Sequence, residues 1–324
     1  MSRLAKIISG MAVAMSMAPQ VAHANLALTS AGLSDGLSLQ TAVTLNSGNT
    51  TWGALGMSVN NGNIVAYDWQ NGTNYVFPDA NNQAVTSALY TAPGISSNGQ
   101  YATVNGVTYG IDGGVLTAFN TNGTINHQLV TSLSSSQGII ATSSGNILMR
   151  TAAGLVSVNP VTNSYTVLDS AFPGGTIGLS LSASENKMYA ATGSGVTVFN
   201  PNTGAELINY ALPASLSSFY SIGVSTPILT GALADSILVS GLGGQVLDLN
   251  LSTGQYSILA GGANAITYIA EDPTNGSYLI GGSNNIYRLT YSSTTPAPEP
   301  GGISVFLLAL ALLAAAKLGK TIRF

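Results

Sequence analysis

Between residues 25 and 295 the chain carries a single imidazole, His127, in the run Thr124-Ile125-Asn126-His127-Gln128. Triad chemistry needs an imidazole held between a nucleophile and a carboxylate beside a substrate pocket. This run reads instead as an outer strand with a solvent-facing side chain, so no catalytic residue is assigned. Carboxylates are better ordered. Glu185, Asp235 and Asp272 fall in the same turn of three consecutive repeats, which places them around one rim, where hard oxygen ligands could hold Ca²⁺. Two considerations favour a plain turn role. Equivalent turns of neighbouring repeats stand too far apart to share one ion, and Asp, Asn and Ser bond their own backbone at turns. Glu271-Asp272-Pro273-Thr274-Asn275-Gly276 reads the same way. The chain has no phosphate-binding G-x-x-x-x-G-K, no H-E-x-x-H and no dinucleotide fingerprint with its following helix, and no cofactor is expected.

Composition removes whole classes of function. Charged residues make up 6% of the 324 residues, against roughly 25% in an ordinary soluble domain. Eight Lys and Arg, a net charge of −4 and no basic run in the body argue against nucleic acid as a partner. An apolar fraction of 45% argues against disorder. The absence of cysteine excludes a disulfide scaffold and thiolate zinc.

The elements that must position any site are strands. The body has no sustained i, i+3, i+4 apolar pattern; short Val, Ile, Leu, Tyr and Thr runs alternate with Gly, Asn and Ser. These runs recur. Gly195-Val196-Thr197-Val198-Phe199-Asn200-Pro201-Asn202-Thr203-Gly204 has counterparts at 114–123, 154–163 and 244–254, a divergent copy at 63–72 and a truncated one at 285–290. The turn-initiating residue falls at 68, 120, 159, 200, 250 and 290, in steps of 52, 39, 41, 50 and 40. A unit of this length predicts an all-β propeller of four-stranded blades packed about an axis. One full unit reads as strands at 178–183, 187–192, 196–200 and 205–210. The final copy stops after its third strand, so residues 37–45 are expected to supply the missing outer strand and close the ring. Residues 25–295 divide into six blades of about 45; seven of about 39 also fit.

The segment Lys187 to Gly204 resembles repeats of the bacterial YVTN and quinoprotein-like propellers. Antiparallel order puts first-to-second and third-to-fourth turns on one rim, with inter-blade connections and second-to-third turns on the other. Resemblance to other propellers implies that the second rim binds ligands. The inter-blade loops are read as 78–94 with Asp79 and Tyr90, 169–176 with Phe172, and 211–222 with Phe219 and Tyr220. Asp79, Tyr90, Phe172 and Tyr220 are thus the rim candidates. Such rings could stack on a sugar face, or fill gaps between blades.

The two ends read as addresses. Arg3 and Lys6, the apolar stretch 7–17 and Ala22-His23-Ala24 form a signal peptide over residues 1–24, cleaved after Ala24. A Pro-rich linker, 296–302, precedes an apolar helix at 303–318 and a tail at 319–324 whose cations, with Lys317, predict a cytoplasmic end. The order Pro298-Glu299-Pro300, apolar helix, basic tail resembles the PEP-CTERM sorting signal. That resemblance implies processing by signal peptidase and an exosortase, passing transiently through the inner membrane of a Gram-negative bacterium to the cell surface or extracellular matrix. An ordinary anchor, left uncut, also places the body outside. With the ends set aside, the body holds 11 acids against Arg150, Lys187 and Arg288, a net −8. The expected function is a binding or structural module, with extracellular polysaccharide or a surface protein as partner; the alternative is a secreted, metal-dependent, lactonase-like hydrolase.

Overall fold

The alternating runs fold as antiparallel strands joined by tight turns, and those strands gather into six sheets. The computed structural model describes residues 25–45, 52–97, 99–175, 177–228 and 231–291. The expected signal peptide, linker, sorting motif, apolar helix and tail lie outside the described residues. The protein is a six-bladed β-propeller, as the repeat spacing predicts. The blades begin with the inner strands Ala54–Asn60, Ala102–Val104, Ser135–Ala141, Leu179–Leu181, Ser221–Val224 and Ile266–Asp272. The fourth matches its predicted unit strand for strand: Leu179–Leu181, Met188–Ala191, Gly195–Phe199 and Glu206–Ala211. Departures from pure β are small. Thr29 accepts from the Gly32 N–H at 3.3 Å and caps a five-residue helix, Ser30–Ser34, which leads into the closing strand.

One register differs from the expectation. In the first blade the strand Asn63–Asp68 is second, not third; Thr73–Pro78 is third and Tyr90–Pro93 is outermost. The turn at Asp68 is therefore a second-to-third turn. It mimics a third-to-fourth turn because Asp68 accepts from the Gln70 N–H, the same Asx device that Asn159, Asn200 and Asn250 use. Counting from Pro78 shortens the first interval from 52 residues to 42, in line with its neighbours. It also means that 78–90 is an excursion within a blade, not a connection between blades.

Buried apolar side chains collect between blades rather than within them. One cluster joins Ile111, Leu116 and Leu129 of the second blade to Ile139, Met149 and Val156 of the third; another joins Leu279 and Ile286 of the last blade to Met57, Ile64 and Phe77 of the first. Near the axis the inner strands approach backbone to backbone. A Cβ on Gly99 would stand 2.7 Å from the Gln137 carbonyl, and one on Gly138 2.6 Å from that of Ile177; Gly178 and Gly223 face the next blades in the same way. The last interface uses a hydroxyl, Thr267 Oγ1 donating to the Ala54 carbonyl at 2.5 Å.

Closure comes from the N-terminal segment. Leu37–Thr44 pairs antiparallel with Asn285–Tyr291, Leu37 opposite Tyr291 and Thr44 opposite Asn285, and is the outer strand of the last blade. On its far side Gln83–Ala84, from the excursion of the first blade, adds in parallel. Arg288 ties this seam. Its guanidinium, 5% exposed, bonds Asp272 of its own blade and Asp79 of the first, with Asn81 Oδ1 at 3.0 Å and Ser277 Oγ at 2.7 Å as further acceptors.

Removing the cation from a buried pair costs about 3–5 kcal/mol, and each kcal/mol lowers the melting temperature of a chain this size by about 2–4 °C. Arg288→Met should therefore melt roughly 6–20 °C below the wild type at neutral pH. Acidification should narrow the gap, since protonated Asp79 and Asp272 need no cation. A deficit that stayed constant from neutral pH to about pH 4 would show that the seam does not depend on the ion pairs.

Candidate functional site

The inner strands converge on the axis, and the cavities at its two mouths differ in chemistry. On the rim of first-to-second turns lies a cavity of about 240 Å³ lined by Ser58, Thr103, Ser180, Thr226 and Glu271 among apolar neighbours. Its polar groups are committed to one another. Ser58 bonds Thr103, Thr226 Oγ1 donates to Glu271 Oε2 at 2.7 Å, and Ser180 Oγ donates to the Ser225 carbonyl at 2.6 Å.

The other mouth, on the rim of inter-blade connections, is an aromatic cup of about 270 Å³ lined by Trp52, Leu55, Trp69, Gln137, Ile177, Tyr220, Ile222 and Tyr268. Both tryptophans of the chain are here. Trp52 stands just before the inner strand of the first blade. Trp69 is held over the mouth by the Asx turn at Asp68 and by its own N–H, which donates to the Gly53 carbonyl at 3.0 Å. Tyr220 ends the connection into the fifth blade and lies on Gly193 so closely that a Cβ there would stand 2.5 Å from the ring. Gly193 also has φ +77°, so the turn and the ring contact both require glycine. Tyr268 rises from the inner strand of the last blade and is 2% exposed. Its hydroxyl has no hydrogen-bond partner among the described residues, and burial pushes its pKa far up, so it is a neutral hydroxyl at any working pH.

Of the four rim candidates, only Tyr220 lines this cup. Phe172 is buried in the connection between the third and fourth blades, its ring 4.6 Å from that of Phe199. Phe219 is buried beside Tyr220, against Gly241 and Gly243. Asp79 and Tyr90 fall within the first blade, Asp79 in the closure seam and Tyr90 exposed on the outer strand. Reading 78–94 as an inter-blade loop is thereby corrected, for the register reason given above. Sequence reasoning missed Trp52, Trp69 and Tyr268. The available signal was a tryptophan directly after an Asx residue in a turn, where burial does not explain it.

The three turn carboxylates stand apart. Glu185 and Asp235 sit in first-to-second turns at φ +53° and +61°, Glu185 accepting from the Ser143 N–H, while Asp272 is buried against Arg288. Among the described residues no group of three His, Asp or Glu side chains is placed to hold a metal. His127 is exposed on the outer strand Ile125–Leu129, away from both mouths.

No protein-family model matches the chain, and no curated protein matches it. Solved structures do. A gluconolactonase from Xanthomonas campestris is similar over 83% of this chain and 96% of its own, with 16% identity and a TM-score of 0.62. A Bacteroides thetaiotaomicron protein of unknown function is similar over 83% of this chain and 77% of its own, with 13% identity and a TM-score of 0.59. At these identities the likeness shows the fold.

Burial raises the carboxyl pKa of Asp68, beneath Trp69, and likewise of Asp79 and Asp248; at Asp68 the Asn71 and Gln70 bonds only partly offset it. For Asp272 burial is outweighed by the Arg288 bond and the Thr274 N–H, and its pKa is lowered. Stability from the first three is present in acid and lost as pH rises through their raised values; that from Asp272 is lost only as pH falls through its lowered one. The melting temperature should therefore fall as pH rises from about 3.8 through the raised values of these three carboxyls, and Asp68→Asn should reduce that fall. A wild-type maximum at pH 8 would contradict this assignment.

Proposed function

We propose that the chain is an exported, surface-sorted propeller that serves as a binding module of the cell surface or extracellular polysaccharide matrix, with the aromatic cup as its contact site. One observation carries the reading: Trp69 and Tyr220 are 44% and 47% exposed at the mouth of a cavity that already holds Trp52 and Tyr268. Soluble chains bury large rings, and open aromatic faces gathered in one concavity supply contact area at low entropic cost. The cup lining contains no carboxylate, imidazole or amine, so it offers contact without acid, base or nucleophile beyond tyrosine. Export and sorting are supported by the Ala22-His23-Ala24 and Pro298-Glu299-Pro300 segments with their apolar neighbours.

Binding of the purified protein to polysaccharide extracted from its host's surface should be saturable and should weaken about tenfold or more in Trp69→Ala, a loss of roughly 1.4 kcal/mol. Undiminished binding by that variant would remove the cup from the function. Intact mass of the surface-exposed form tests sorting: loss of residues 1–24 and of the segment after the Pro-Glu-Pro triplet is expected, and retention of 301–324 would rule the sorting reading out.

A second reading, a secreted metal-dependent hydrolase acting on lactones, is favoured by the fold likeness to the gluconolactonase. It needs a divalent ion in the axial channel, where Glu271 is the sole carboxylate among the lining residues of the two mouths. Metal analysis and melting with and without Ca²⁺ decide between them. A tightly held stoichiometric ion on the axis would favour the hydrolase.

A further inference from the structure

We infer that the cup accepts one terminal ring of an uncharged saccharide, stacked on its aromatic faces, with the Tyr268 hydroxyl bonding a ring hydroxyl at the floor. This rests on the binding-module reading and adds the ligand's chemistry to it. The floor is the strongest indication. Tyr268 is 2% exposed, lines the cavity and has no hydrogen-bond partner for its hydroxyl among the described residues. That hydroxyl opens on the cup, where a ligand hydroxyl can exchange a hydrogen bond with it. An apolar ligand would cover that hydroxyl without pairing it, which costs free energy and sets a saccharide ahead of a lipid or an aromatic molecule.

The walls agree. Trp52, Trp69 and Tyr220 line the cavity with aromatic area of the kind that packs on the C–H side of a sugar ring, and Gln137 adds an amide side chain to the lining. Charge selects further. None of Arg150, Lys187 and Arg288 lines the cup, and the body carries net −8, so an acidic polymer meets repulsion with no cation to receive it. Size fits a single ring: the cavity measures about 270 Å³, at the small end of ligand pockets of about 300–1,000 Å³. The opposite mouth does not compete, since its Ser58, Thr103, Ser180 and Thr226 hydroxyls already have partners within the protein.

Intrinsic fluorescence reads the site directly because both tryptophans lie in it. The purified protein is titrated with cellotriose and maltotriose as neutral probes, trigalacturonate as the acidic probe and methylcyclohexane as the apolar one. A neutral trisaccharide should shift the emission saturably and bind at least tenfold more tightly than trigalacturonate. Tyr268→Phe should weaken that binding about three- to tenfold, the range of one hydrogen bond, while its melting temperature stays equal or rises, since the unliganded hydroxyl has no bond to lose. Trp69→Ala should weaken it at least tenfold. Equal binding by Tyr268→Phe, tighter binding of the acidic probe, response to methylcyclohexane alone, or no response to any probe would each overturn the inference. Acidic-probe binding that Trp69→Ala abolishes would overturn the ligand class and leave the cup as the contact site. Saccharide binding indifferent to Trp69→Ala would overturn both.

Discussion

Everything in this propeller depends on closing the ring at the last blade. That blade has only three strands of its own in sequence, and a sheet left short exposes a row of unpaired backbone groups. The strand Leu37–Thr44 fills the gap, so the first and last parts of the body become one sheet. The buried Arg288 then draws acids from two blades onto the same seam. A buried cation tolerates only a geometry that satisfies it, so the pair specifies the register in which first and last blades meet. The interfaces between blades, built from apolar side chains, do not carry that directional demand.

Closure in turn shapes the axis. Six inner strands brought this close leave no space for Cβ atoms at Gly99, Gly138, Gly178 or Gly223, and a cavity lies at each rim. The two are built from the same strands, yet they are not equivalent. Residues toward the ends of the inner strands present small hydroxyls that neutralise one another, whereas their starts and the adjoining turns present rings. The aromatic mouth has its walls on turns that closure fixes: Trp69 on the Asx turn at Asp68, and Tyr220 on Gly193.

Much of this was legible in the chain because turn chemistry is local. An Asn followed two residues later by an N–H it can accept from, a Gly at positive φ and a run of β-branched residues announce themselves wherever they occur, and their recurrence implied blades and a missing outer strand. The first blade was misread for the same reason. Asp68 makes the identical local bond in a different turn, and only pairing of Asn63–Asp68 with strands on both sides reveals its place. That one-strand shift carried Asp79 and Tyr90 to the wrong rim. Tyr220 was found because it sits in a connection between blades, and that connection was read correctly.

By itself the sequence determined the all-β class, the repeat, the acidic body between two basic ends, the poverty of catalytic groups and the donor of the closing strand. These follow from composition and from hydrogen bonds within a few residues. Only the tertiary structure decided that Trp52, Trp69, Tyr220 and Tyr268 share one cavity, and that Asp79, Asp272 and Arg288 share one seam. Tyr268 and Trp52 are 216 residues apart in the chain. Nothing local relates them, since what makes them neighbours is the rotation of one blade onto the next around a closed axis.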